Sequence, residues 1–141
     1  MDTDGYLREL YRIIDRMRHN LVLSRLPNLS PKVMIALLFI EENFASGVHL
    51  SDAARHVGMH PDSLSRKIHR ELEGHDLYLT VPDYFNLLKA VKAREAITSD
   101  PLLLCKEVAD LVGASPRELQ RIFRIHFGST LSEYREHQLQ P

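Results

Sequence analysis

The chain is short of several things that define whole classes of protein. It has one cysteine, so no disulfide can form within it, and a single thiol fits a reducing cytoplasm better than an oxidising compartment. It has no tryptophan, and aromatics make up 7% of its residues; aliphatic residues and helix formers dominate instead. Long alternating runs of β-branched residues are missing, which argues against a sheet and for an all-α fold. No signal peptide is evident. The longest apolar run, Val33–Ile40, falls far short of the ~20 residues that span a bilayer, so no membrane partner is expected. Net charge is also lacking: 18 Lys+Arg against 19 Asp+Glu leave −1. That balance gives no global attraction to nucleic acid. Its distribution is uneven, however. Pro116–Phe127 holds three arginines and one glutamate, whereas Asp2, Asp4, Glu9, Glu41 and Glu42 sit toward the other end.

What is present is a repeat. The stretch Cys105 to Tyr134 reads as helix, tight turn, second helix and the start of a third. Ala109 is small where helices cross. Gly113 can take a positive φ where the first helix stops. Ser115-Pro116-Arg117-Glu118 then restarts the chain as N-cap, first helical residue and capping-box partner. Leu119 and Phe123 share one face and pin the second helix to the first, leaving Arg117, Gln120, Arg121 and Arg124 outward. This is the pattern of a helix-turn-helix with its reading helix exposed.

The same pattern occurs earlier in the chain at one constant offset: Ala54, Val57, Gly58, Pro61, Leu64 and Arg66 match Ala109, Val112, Gly113, Pro116, Leu119 and Arg121. Ile68 falls at Phe123 and Leu50 at Cys105. Amphipathic helices resemble one another by chance, but chance does not repeat a glycine and a proline in register.

In order along the chain, Leu7, Leu10, Ile14, Met17 and Leu21 form a 3-4-3-4 seam within a helical pattern from Tyr6 to Leu23. The seam either packs on the rest of the same chain or pairs two chains in a short coiled coil, giving a homodimer. Ser24–Asn28, with Pro27, is a candidate linker. Ser30-Pro31 starts a helix to about Phe44 that is apolar all round, hence expected to be covered on most sides. Ser51 is expected to cap the first helix of unit one, and about Pro61–Leu72 to be its reading helix. Leu77, Tyr78 and Leu79 form an apolar insertion that unit two lacks. A stiff helix from about Pro82 to Thr98 joins the units, and the residues from Glu136 on are expected to fray. The organisation expected is an N-terminal helical segment, 1–29, and a double helix-turn-helix domain, 30–141: all-α, with tandem units joined by a long linking helix and preceded by a helical extension.

Other chemistry is weakly signalled. Cys105 stands in register with a core leucine, which favours an inert buried thiol over a reactive one. His49, His56 and His60 do not make a metal site, because Gly58 breaks the helix between the last two and no third ligand is suitably spaced. Glu41 and Glu42 point in different directions and form no acid–base pair. Tyr84 and Tyr134 occupy equivalent places and are expected to pack. No catalytic residues, cofactor or metal are expected, so the chain is not read as an enzyme.

Ile40-Glu-Glu-Asn-Phe44, Leu50-Ser-Asp-Ala-Ala54…Gly58…Leu64-Ser-Arg66, Glu107-Val-Ala109…Val112-Gly113 and Leu119-Gln-Arg-Ile-Phe123…His126-Phe-Gly128…Ser132-Glu-Tyr-Arg135 together resemble the DNA-binding domain of the AraC/XylS transcription regulators, over about Ser30 to Arg135. The resemblance implies a bacterial, cytoplasmic, nucleoid-associated regulator whose two reading helices enter successive major-groove segments of double-stranded DNA and which acts with RNA polymerase. It places base readout at Asp62, Ser65, Arg66 and His69 in unit one and at Arg117, Gln120, Arg121 and Arg124 in unit two. Arginine can bridge guanine O6 and N7, and glutamine adenine N6 and N7. Lys67, Arg70 and the helix starts at Thr80 and Thr130 would hold phosphates. Three departures stand out. Asp62 brings a negative charge to a reader position, His60 replaces a serine cap, and Lys89 replaces an arginine in the linking helix. Most members also carry a ligand-sensing domain, for which these 141 residues leave no room, so the expectation is either a fragment of a longer regulator or a protein controlled by partners or abundance. The alternative is a protein–protein adaptor that keeps the fold but no longer binds DNA.

Overall fold

The structure, a computed structural model, describes residues 22–140. Seven α-helices and no strands occur among them: α1 Pro31–Asn43, α2 Leu50–Val57, α3 Pro61–Glu73, α4 Val81–Ser99, α5 Cys105–Val112, α6 Pro116–Phe127 and α7 Leu131–Leu139. The all-α expectation therefore holds. The seam from Leu7 to Leu21 lies outside the described residues.

These residues divide into two compact units. The first comprises 22–44 with Val48–Phe85, and the second comprises Ala45–Gly47 with the chain from Asn86 onward. In each unit a short helix is followed, after a tight turn, by a longer one: α2 and α3 in the first, α5 and α6 in the second. Both turns are built alike. Gly58 adopts φ 70°, ψ 39° and Gly113 φ 73°, ψ 38°. In each case the next residue's N–H reaches back across the glycine, Met59 to Ala54 O (2.9 Å) and Ala114 to Ala109 O (3.0 Å), satisfying carbonyls the helix end would otherwise leave orphaned. A β-carbon on Gly113 would lie 2.4 Å from the Ala45 carbonyl oxygen, whereas one on Gly58 would meet nothing within 4 Å. The first glycine is required by backbone conformation alone; the second is required by conformation and by space.

The helix starts follow the sequence less closely. Pro61 and Pro116 open α3 and α6, with His60 Nδ1 accepting from the Asp62 N–H (3.2 Å) and Ser115 Oγ from the Glu118 N–H (3.1 Å). α2, however, begins one residue before Ser51, and its N-cap is His49. The carboxylate of Asp52 accepts the His49 N–H (2.8 Å), as Glu107 accepts that of Leu104 at the start of α5 (3.1 Å). The cap comes from inside the helix in both units. Ser30 stands at the N-cap of α1, but its hydroxyl does not cap. Both its N–H (2.6 Å) and its Oγ (2.7 Å) donate to the Glu71 carboxylate on α3.

The first unit's core is Val33, Ala36, Leu37 and Ile40 of α1, Ala53 and Ala54 of α2, and Leu64, Ile68 and Leu72 of α3. α1 is not covered all round: Met34, Ile35 and Leu38 are 44%, 41% and 44% exposed on the face opposite the core. The apolar insertion tucks Leu77 and Leu79 into this unit and leaves Tyr78 out. It departs from α3 through Asp76, a non-glycine residue at φ 58°, with the Leu77 N–H returning to Leu72 O at 3.0 Å. Residues 23 and 24 are anchored rather than a loose linker. Leu23 and Ser24 are buried in a 3-10 turn, and Ser24 donates to Glu41 from both its N–H (3.0 Å) and its Oγ (2.5 Å). In the second unit Ala93, Ile97, Val108, Ala109, Val112, Leu119, Phe123 and Leu131 form one buried cluster. α7 continues to Leu139, past the point where fraying is expected.

Candidate nucleic-acid interface

α3 and α6 are strongly amphipathic, burying Leu64, Ile68 and Leu72 in one case and Leu119, Ile122, Phe123 and His126 in the other. Burial of one stripe dictates which side chains turn to solvent. In the first unit Asp62, Arg66, His69 and Arg70 are exposed, while Ser65 and Lys67 are half-buried. In the second unit Arg117, Arg121 and Arg124 are exposed.

Two of these side chains already have acidic partners. His69 Nε2 lies 3.0 Å from Glu73, one turn on, and Arg124 lies 3.4 Å from Glu133 of α7. Arg66, Arg117 and Arg121 make no ion pair among the described residues. Their guanidinium donors are unspent. Asp62, the counterpart of Arg117 in the repeat, faces His60 at 3.9 Å, so the two units carry opposite charge at this position.

Gln120 departs from expectation. Its amide does not point outward. Gln120 Oε1 accepts the Leu131 N–H at 2.8 Å, and Nε2 donates to Ser132 Oγ (3.1 Å) and to Cys105 Sγ (3.3 Å). It joins α6 to the first turn of α7 and to α5. Cys105 is likewise not the buried thiol expected: it is half-buried, and Arg135 Nη2 donates to its sulfur at 3.2 Å. Its register partner Leu50 is also only half-buried, so this position borders the core in both units.

Among the phosphate candidates, Arg70 and Thr80 come together with Ser65, Arg66, His69 and Glu73 around one shallow groove between α3 and the start of α4, while Lys67 lies on α3 facing Ser63, Arg70 and Glu71. The threonines hold their own helices. Thr80 Oγ1 accepts the Asp83 N–H (3.2 Å) and Thr130 Oγ1 the Glu133 N–H (3.1 Å). Thr130 also donates to the Glu133 carboxylate (3.1 Å), which leaves a negative charge at that helix start.

The tyrosines pack, as expected, and each also makes a polar bond. Buried Tyr84 donates its hydroxyl to Glu41 at 2.5 Å and accepts the Leu23 N–H at 3.4 Å. Burial first, then the Glu41 charge and this bond, raise its pKa well above the usual tyrosine value; the Leu23 bond opposes them. Tyr134 shares a 3.0 Å hydrogen bond with Thr98 and sets its ring 5.6 Å from Phe123. His56 stacks on Phe39, with 4.7 Å between ring centroids. The Glu41 and Gln120 constellations were not visible in the sequence.

Solved structures share this fold. The C-terminal domain of AraT, a response regulator from Geobacillus stearothermophilus, matches with TM-score 0.71 and 26% identity, over 81% of this chain and 91% of that one. A DNA-binding transcriptional dual regulator from Escherichia coli K-12 matches with TM-score 0.65 and 24% identity, over 82% and 100%. A transcriptional regulator from Chromobacterium violaceum, described as having an AraC-type DNA-binding domain, matches with TM-score 0.64 and 23% identity, over 79% and 95%. No family model matches the chain, and no curated protein matches it.

Proposed function

This chain has the fold of an AraC/XylS-type DNA-binding domain, and on that basis we propose that it is a sequence-specific, DNA-binding transcriptional regulator whose α3 and α6 each read a major-groove segment. The observation that carries this reading is the pair Arg66 and Arg121. They occupy the same place on equivalent capped helices, both exposed and neither engaged by an acid among the described residues. An arginine with unspent donors on an exposed helix face suits the O6/N7 edge of guanine. Arg117 and Arg124 extend the reading surface of α6, the latter by exchanging Glu133 for a base or phosphate. Ser65 and His69 extend that of α3. Gln120 acts indirectly, by fixing α7 against α6. Lys67, Arg70 and the helix starts at Thr80 and Thr130 set the register on phosphates. The setting proposed is a bacterial cytoplasm, with the bound chain recruiting or obstructing RNA polymerase at the nucleoid.

Selection of binding sites from random duplex DNA, followed by titration of the winning site against salt, tests this. A reader should enrich a defined motif, and its affinity should fall with a log–log slope of about −0.9 per phosphate neutralised. Failure to enrich any sequence, with binding indifferent to salt, would favour the adaptor reading that the near-zero net charge permits.

A further inference from the structure

The two reading helices differ in whether their outward charge is fixed. On α6 the exposed cations are Arg117, Arg121 and Arg124, and a guanidinium group stays protonated at any pH near neutrality. The one histidine of α6, His126, is 3% exposed, and a serine, Ser115, caps the helix. On α3 two histidines take part instead. His60 is its N-cap and His69 lies one turn before its end, both exposed and each set against an acid. Imidazole is the side chain that ordinarily changes charge between about pH 5 and 8.

His69 Nε2 lies 3.0 Å from Glu73 Oε1. Around the same groove stand Ser65, Arg66 and Arg70 of α3 and, from the start of α4, Thr80 and Val81. The charged groups beside the ring are therefore two arginines and one glutamate. While the ring is neutral they leave one net positive charge. A proton on His69 adds a second and pairs Glu73, so that both arginines are left to an incoming anion.

At the other end of the helix, His60 Nδ1 accepts the Asp62 N–H at 3.2 Å and lies 3.9 Å from the Asp62 carboxylate. A proton on Nδ1 turns it from an acceptor into a donor toward that carboxylate. The negative charge that Asp62 holds at the position of Arg117 is then countered. At both ends a proton makes α3 more like α6. Bound DNA phosphate favours the imidazolium form, so the effect is present at low pH and fades as pH rises.

We propose that α3 takes up protons from solvent at His69 and His60 as it engages DNA phosphate, making the first unit an acid-strengthened half of the reader while α6 binds alike across this range. This rests on α3 and α6 being the DNA-binding helices.

The test is the affinity of the full chain for its selected duplex at fixed salt, from about pH 5.5 to about pH 8. Wild type should bind about tenfold tighter at the acid end. His69→Gln should remove most of that gain, and His60→Ser, which retains a cap of the kind Ser115 provides, a smaller part. The double variant should bind at the weaker, high-pH level throughout, with unchanged helicity by circular dichroism because both side chains are exposed. Arg121→Ala should bind more weakly at every pH and keep the gain. Salt-dependent binding that is indifferent to pH would overturn this proposal alone, as would a double variant that keeps most of the wild-type gain. No binding to any duplex at any pH would overturn it together with the DNA-binding reading.

Discussion

The side-chain oxygen of Gln120, on α6, accepts the backbone N–H of Leu131 at 2.8 Å. The residue beside Arg121, in the middle of α6, is therefore a brace between two helices. Ser65, its counterpart in the first copy of the repeat, is too short to reach as far.

Gln120→Ala should cost about 1–2 kcal/mol of stability by leaving a helix-start N–H without its acceptor. It should leave the order of preferred bases unchanged in a binding-site selection. Gln120→Glu retains an acceptor and should recover most of the loss in urea denaturation. A normal denaturation midpoint for Gln120→Ala, together with altered preference at one base position, would make it a reader after all.

Arg121→Ala should weaken binding to the selected site by ~1–3 kcal/mol and flatten preference at one position, with no change in folding because the side chain is exposed. Arg66→Ala should do the same at a different position. Competition binding against single-base site variants measures both effects. A uniform loss across all variants would reduce either arginine to a phosphate contact.

The two turn glycines should respond unequally to alanine. Gly58→Ala suffers only the left-handed backbone penalty, about 1–2 kcal/mol. Gly113→Ala adds a β-carbon 2.4 Å from the Ala45 carbonyl and should cost at least about 2 kcal/mol more. Denaturation of the two variants side by side provides the comparison, and equal losses would contradict the close approach.

Tyr84→Phe should cost about 1–3 kcal/mol at neutral pH, since Glu41 and the Leu23 N–H each lose a partner. The alkaline behaviour should differ in the opposite direction. The folded pKa of Tyr84 is raised, so the unfolded chain gives up this proton first. Its contribution is fully present below the unfolded value near 10 and declines as pH rises from there toward the folded value. Wild type should therefore lose stability above about pH 10 more steeply than Tyr84→Phe. Parallel pH profiles would mean that Tyr84 does not titrate in this way.

Much of the architecture could be read one window at a time. The Gly-to-Pro spacing of the turns, the Ser115 cap and the leucine stripes are each decided within about one helical turn, and the repeat doubled every signal. Where reading failed, another residue had displaced the expected one, in one case from far along the chain and in the other from the next position. Ser30 looks like a cap from its neighbours, but Glu71, 41 residues on, takes its hydroxyl. Ser51 looks like a cap as well, yet Asp52 satisfies the helix start from within and moves it one residue earlier.

The candidate interface divides along the same line. Which arginines face solvent follows from the apolar stripe of each helix, a property of residues three and four apart, and amino-acid order alone determines it. Whether an outward polar side chain keeps its hydrogen-bonding groups unengaged was decided by tertiary structure. Gln120 is taken by Leu131, 11 residues away, and Arg124 by Glu133, 9 away, while Arg121 between them has no acidic partner among the described residues. Glu41 was likewise unreadable, because its partner Tyr84 lies 43 residues off. Periodicity sets the direction of a side chain from local backbone geometry, but a hydrogen-bond partner is set by where another helix lies in space, and no short stretch of sequence encodes that position.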